Sequence, residues 1–381
     1  MTPAGVKDAG VKGERLPVSV LTGFLGSGKT TLLRHLLQSP ALADTAVVVN
    51  EFGEIGLDHL LIESAREDMV LLASGCLCCT VRGDLIDALR RLFKKRWSNK
   101  IPAFRRVIIE TTGLADPAPI IHTLMQDPLI ADKFRLDAIV TTVDAVHGEG
   151  QLDAHEESVK QAAVADRIVL TKCDLADEAT VASLEARLRA LNPAAPLLRA
   201  EQGRIDAALL LDAGLYNPAT RSLDVQRWLN AEAYGAEAYG AEAYGEAAHA
   251  HRPHAARNGD DGHRHGEGHV HRHAPDVNRH DARIRAFVLT HDQSLDWAKF
   301  VDWVEALIAG CGPNLLRLKG VLNVADATGP VAVHGVQHLF HPPVELPAWP
   351  DADRRSRLVV IARDIDPATV AGMFRRFQEP A

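Results

Sequence analysis

Gly23-Phe24-Leu25-Gly26-Ser27-Gly28-Lys29-Thr30-Thr31 fits the pattern G-x-x-x-x-G-K-[ST]. The residues before it are apolar at Leu16, Val18, Val20 and Leu21, as in a short buried strand. Those after it repeat apolar at Leu32, Leu33, Leu36 and Leu37, the spacing of a helix. Strand, loop and helix are the setting this motif needs. Glycine permits the backbone angles that turn successive N–H groups toward phosphate oxygens, and the following helix adds its positive end. Gly23, Gly26, Ser27, Gly28 and Thr31 would shape this cradle, Lys29 would reach the β- and γ-phosphates, and Thr30 would offer its hydroxyl to Mg²⁺. Chance matches in glycine-rich turns arise in roughly one chain in a hundred of this length, given average residue usage.

Working outward, four more β-branched runs end in polar residues or glycine. Val47–Val49 leads into Asn50-Glu51-Phe52-Gly53, and Val107–Ile109 into Glu110-Thr111-Thr112-Gly113. Ile139–Val143 leads into Asp144, and Ile168–Leu170 into Thr171-Lys172-Cys173-Asp174. Helical patterns lie between, at Leu85 to Phe93 and Val181 to Leu191. This alternation predicts an α/β, doubly wound, mostly parallel sheet of P-loop NTPase type, with ligand groups at the carboxyl ends of its strands. Ala-Glu-Ala-Tyr-Gly then repeats three times from Ala231 to Gly245 and runs into a tract rich in His, Gly and Arg. Beyond Arg283, strands are expected at Ile284 to Leu289, Leu315 to Val324, Val331 to Val336 and Leu358 to Ile361. Helices are expected at Leu295 to Ile308 and from about Pro367 to Phe377, giving a small α+β domain of ferredoxin-like order. The expected organisation is a disordered tail over 1–15, a P-loop GTPase domain over 16–230, a His-rich low-complexity linker over 231–281, and the α+β domain over 282–381. Trp297, Phe300 and their neighbours are expected in the core; His334, His338 and His341 are expected at the surface.

The chain carries a net charge of −8 and no basic stripe interleaved with aromatics, which argues against a nucleic-acid partner. No run approaches the roughly 18 consecutive apolar residues of a membrane span. Residues 1–15 lack the apolar segment of a signal peptide, so a cytoplasmic location is expected. Three of the five cysteines fall within four positions, the pattern of a thiolate cluster in a reducing compartment.

Glu110 and Gly113 sit where a P-loop protein places a carboxylate for the Mg²⁺ shell and a glycine N–H that senses the γ-phosphate. A longer Glu in place of Asp can act through metal-bound water. Thr171-Lys172-Cys173-Asp174 has the form N/T-K-x-D. The Asp174 carboxylate can accept from the N1–H and the amino group of guanine, whereas adenine would leave it unpaired; GTP is therefore the expected nucleotide. Cys76, Cys78 and Cys79 can converge on one soft-ligand ion such as Zn²⁺ if the chain turns there. The fourth ligand is open, with Glu54 or a histidine able to supply it. Cys173 and Cys311 read as packing residues. His249, His251, His254, His263, His265, His269, His271, His273 and His280 offer loose, reversible metal capture that would also accept Co²⁺ or Ni²⁺.

Taken in order, the P-loop, Asn50–Glu54, Cys76–Cys79, Glu110–Pro117 and Thr171–Asp174 resemble the CobW-type family of P-loop GTPase metallochaperones. The resemblance implies slow hydrolysis of GTP, with Lys29, Thr30, Glu110 and Gly113 at the reacting phosphate, and Zn²⁺ held at Cys76, Cys78 and Cys79 for delivery to a client apo-metalloprotein. The Cys cluster lies in sequence between the two segments expected to respond to γ-phosphate, so nucleotide state can bias the metal site. Asp116 and Glu51 are candidates for orienting the attacking water. Two other readings are a GTP-responsive metal buffer or sensor and a small-molecule P-loop kinase; homodimerisation is left open.

Overall fold

The structure is a computed structural model that describes residues 15–49, 71–73, 81–211, 238–239 and 283–379. The tail, the Asn50–Glu54 loop with Glu51 and Glu54, Cys76, Cys78 and Cys79, and the linker histidines lie outside the described residues.

The first sheet contains β1 (Leu16–Gly23), β2 (Thr45–Val49), β3 (Leu71–Ala73), β4 (Arg106–Glu110), β5 (Phe134–Asp144), β6 (Arg167–Thr171) and β7 (Leu197–Ala200). Their order is β3-β2-β4-β1-β5-β6-β7, and every pairing is parallel. Parallel strands need crossovers, and α1 (Lys29–Gln38), α2 (Val81–Trp97), α3 (Ala118–Gln126), α4 (Pro128–Lys133), α5 (Gly148–Ala154), α6 (Glu156–Ala163) and α7 (Glu178–Leu191) supply them. Both faces of the sheet are covered. Val48, Val107 and Ile109 pack with α2 and α3, while their neighbours Val47 and Ile108 pack with Leu32, Leu33 and Leu36 of α1. The half-exposed β7 and the short β3 extend the sheet beyond the strands read from sequence.

The second sheet begins with β8 (Ala238–Tyr239), part of the alanine-glutamate-tyrosine repeat, so the linker reading does not hold for those two residues. It continues with β9 (Ile284–His291), β10 (Leu315–Leu322), β11 (Val331–Val336), β12 (Leu339–Phe340), β13 (Val344–Glu345) and β14 (Ser356–Arg363). The order is β12-β11-β10-β14-β9-β8, with β13 paired to β11. Helix α8 (Trp297–Cys311) joins β9 to β10, and β14 lies between them, antiparallel to both: the split β-α-β core of the ferredoxin-like order. That order departs at its edges, where β11 is added beyond β10 and β8 lies parallel to β9. Helix α9 (Pro367–Gln378) packs with α8 on one face, burying Phe300, Trp303, Leu307, Val370 and Phe374 as expected of this spacing. Cys173 and Cys311 are half-buried against the cores.

The other face of this sheet lies on the nucleotide-binding body. Leu316 and Ile361 join the core around α5, α6 and α7, and Val336 joins the core around α2 and α3. This packing overturns the surface reading of two histidines. His334 is 3% exposed and stacks on half-buried His341 at 4.9 Å between ring centroids, because the face of β11 that carries His334 is the one the first body covers. His338 is exposed at its turn. No helix among the described residues is long and apolar enough to cross a membrane.

Candidate nucleotide site

Parallel topology puts the carboxyl ends of β1, β2, β4, β5 and β6 on one edge, and a cavity of about 350 Å³ opens there. Gly26, Gly28, Lys29, Thr30 and Thr31 line it from the P-loop, Val49 from β2, Glu110 to Gly113 from the end of β4, and Lys172 from the turn after β6. Of the residues expected to meet the nucleotide, Gly23, Ser27 and Thr171 lie behind the wall. Ser27 Oγ is 2.7 Å from Thr142 Oγ1, and Thr171 Oγ1 donates to Ser27 O (2.8 Å). Asp174 is exposed on the turn Cys173–Leu175, outside the cavity. The loop is thus braced from β5 and β6, and Thr142, absent from the sequence reading, is part of that brace.

Local geometry follows from the glycines. Gly28 holds φ +88° and caps α1 with no side chain, so the first-turn N–H groups have no side-chain cap and are directed as in anion-binding helix ends. Gly113 abuts the loop so closely that a Cβ there would fall 2.5 Å from Leu25 N. Lys29 Nζ donates to the carbonyls of Gly23 (2.9 Å) and Phe24 (3.0 Å), folded over its own loop. Thr30 Oγ1 donates to Glu110 Oε1 at 2.7 Å, which joins the P-loop to the end of β4. Lys172 adopts φ +58° and donates to the buried carboxylate of Asp144 at 2.6 Å, fixing the turn that presents Asp174. Asp116 faces elsewhere. One of its oxygens accepts from Ala118 N (2.9 Å), and the other lies 3.9 Å from Lys160 Nζ and 3.4 Å from Gln337 Nε2.

Sequence reading also missed the junction with the second sheet. Asp166, just before β6, accepts at one oxygen from Ile139 N (3.0 Å) and at the other from Arg317 and Lys319 (3.0 Å for the lysine); Arg317 also donates to Val164 O. Burial raises the Asp166 pKa, but Arg317 and Lys319 outweigh it and hold the carboxyl far below its ordinary range. Burial, together with the neighbouring Arg317, draws Lys319 down to about 7. His334 is driven well below its usual value by burial, then by Arg317.

Parallel sheet, capless helix N-terminus, lysine and Thr–Glu pair define a P-loop nucleotide-binding protein. Residues 17–199 match the family model for the CobW/HypB/UreG nucleotide-binding domain, and residues 284–378 match that for the cobalamin synthesis protein cobW C-terminal domain. The chain belongs to the CobW-type family of P-loop GTPases. Among its relatives, the zinc chaperone YjiA of Escherichia coli is 41% identical over 197 residues, which is 52% of this chain and 61% of that protein. The zinc chaperone CobW of Pseudomonas aeruginosa is 29% identical over 95% of this chain and 91% of its own. The crystal structure of Zn(II)-bound YjiA GTPase from E. coli superposes with a TM-score of 0.66 at 25% identity, covering 96% of this chain and all of that one.

Proposed function

We propose that this chain is a GTP-hydrolysing metallochaperone that binds Zn²⁺ at Cys76, Cys78 and Cys79 and passes it to a client apo-metalloprotein, with the nucleotide setting metal affinity. One observation carries the reading: Val49 at the end of β2 and Glu110 to Gly113 at the end of β4 line the same cavity as the P-loop. Strand β3, hydrogen-bonded to β2, ends at Ala73 on that same sheet edge, three residues in sequence before Cys76. The zinc-chaperone relatives and the Zn(II)-bound neighbour support zinc as cargo.

The donors at the cavity fit Mg²⁺. The Thr30 hydroxyl and the Glu110 carboxylate are hard oxygen ligands already side by side, and they would hold the ion directly or through water. Bound there, Mg²⁺ would neutralise charge on the β- and γ-phosphates. Lys29 exchanges the Gly23 and Phe24 carbonyls for phosphate oxygens, and the first-turn N–H groups of α1 bind the remaining charge. Gly113, packed on Leu25, presents its N–H where the γ-phosphate enters. Emptying a tight metal site demands much of this coupling, since a 10⁴-fold change of affinity corresponds to about 5.5 kcal/mol. Client docking contributes part of it.

Two outcomes follow. Cys78→Ser will leave GTP binding nearly intact and weaken Zn²⁺ binding roughly 10- to 100-fold, given that lost or disturbed ligation shifts affinities on that scale. Competition with a chromophoric chelator reads it, and equal affinities in variant and parent would refute the site. Asp174→Asn will weaken GTP roughly 100-fold, as loss of two charge-assisted hydrogen bonds implies. Xanthosine triphosphate, whose 2-oxo group accepts from an amide, will gain. A base preference unchanged in titrations with both nucleotides would remove Asp174 from guanine recognition.

A further inference from the structure

Gln161 is 1% exposed on α6, and its Nε2 donates to Gly113 O (3.2 Å) and to Ala115 O (2.9 Å). One amide therefore ties the Gly113–Leu114 and Ala115–Asp116 peptide planes together, in the segment that follows Glu110 and leans on the P-loop at Leu25. One helical turn further along the chain, Val164 O and Asp166 are gripped by Arg317 and Lys319 of β10. The second sheet also reaches this segment from its far side. Gln337 Nε2 lies 3.4 Å from Asp116, and His338 meets His122 of α3 edge to face, with ring centroids 4.4 Å apart.

We infer that Gln161 is a positioning residue for GTP hydrolysis and that α6 links it to the C-terminal sheet. The inference rests on the GTPase reading above. A buried amide that bonds two carbonyls allows the turn and the helix to shift only together, because separation by a few tenths of an ångström weakens both bonds and leaves buried polar groups poorly paired. Just past Gln161, at the C-terminal end of the same helix, the chain is tied to the buried charged cluster of Asp166, Arg317 and Lys319. A change in the turn on GTP binding is thus passed to β10, and the seating of the C-terminal sheet sets where Gly113 stands when phosphate enters.

Gln161→Glu tests it, since a carboxylate of the same shape cannot donate to either carbonyl. Binding of a non-hydrolysable GTP analogue should stay within about threefold of the parent, while kcat falls roughly 10- to 100-fold, the scale on which misplaced reacting groups cost rate. Amide hydrogen exchange in β10 should differ between the analogue and GDP in the parent and lose that difference in the variant. Gln337→Ala, a milder change on the opposite side, should lower kcat with an unaltered melting temperature, and it keeps the question answerable if Gln161→Glu folds poorly. Parent-like kcat in both variants, or β10 exchange that responds to nucleotide as before, overturns the inference while leaving the GTPase reading intact. A parent that hydrolyses no GTP overturns both.

Discussion

Lys29→Ala will lower GTP affinity about 1,000-fold, and hydrolysis will fall below detection. Nζ makes two hydrogen bonds to carbonyls of its own loop, a geometry that becomes two charge-assisted bonds once phosphate oxygens take their place. Each such bond contributes about 1.5–3 kcal/mol, and together they account for roughly three powers of ten in affinity. Isothermal titration with GTP and GDP reads the effect directly. The loss should be larger for GTP, because Lys29 is placed to span the β- and γ-phosphates. Equal losses for the two nucleotides would confine the lysine to the β-phosphate. A melting temperature near that of the parent would show that the loop keeps its shape, since the brace through Thr142 and Thr171 does not involve the lysine.

The second large effect lies far from the nucleotide. Asp166→Asn will destabilise the folded chain by about 3 kcal/mol at neutral pH, the lower end of what breaking a buried ion pair costs. The change leaves Arg317 and Lys319 facing each other without a carboxylate, and Lys319 softens the penalty by giving up its proton, being already drawn down to about 7. Acid distinguishes this account from simple loss of packing. The Asp166 carboxyl titrates lower in the folded chain than in the unfolded one, so its stabilisation is complete above the ordinary carboxylate pKa of 3.8 and disappears as pH falls toward the native value. Urea unfolding followed by tryptophan fluorescence should show a gap between parent and variant that is full at pH 7 and narrows below about pH 4. A gap that is constant with pH would assign the loss to shape instead of charge.

Much of this architecture is legible in the sequence because local chemistry and global position agree. The P-loop lies between a period-two and a period-3.6 pattern, and strands that end abruptly in Glu110, Asp144 and Thr171 declare a parallel sheet whose carboxyl edge collects ligands. What escaped depends on partners distant in sequence. Leu71–Ala73 is too short to show alternation, and Leu197–Ala200 is a half-exposed edge strand. His334 follows Ala332 on β11 with nothing local to show that a second body covers that face. Gln161 stands in Lys160-Gln161-Ala162-Ala163 as an ordinary helical glutamine, and only the carbonyls of Gly113 and Ala115, 48 and 46 positions away, make it more than that. The Thr171–Asp174 motif is legible in the sequence, but the bond from Lys172 to Asp144 that holds its turn is not.

The edge strand Ala238–Tyr239 pairs in parallel with β9, and the backbone pairing by itself cannot tell one alanine-tyrosine step from another. The chain offers that step three times, at Ala233-Tyr234, Ala238-Tyr239 and Ala243-Tyr244, in identical pentapeptide surroundings. The arrangement works like a belt with three equally spaced holes. Buckling at a different hole would shift the sequence on either side of the fastening by five residues while the buckle itself stayed the same.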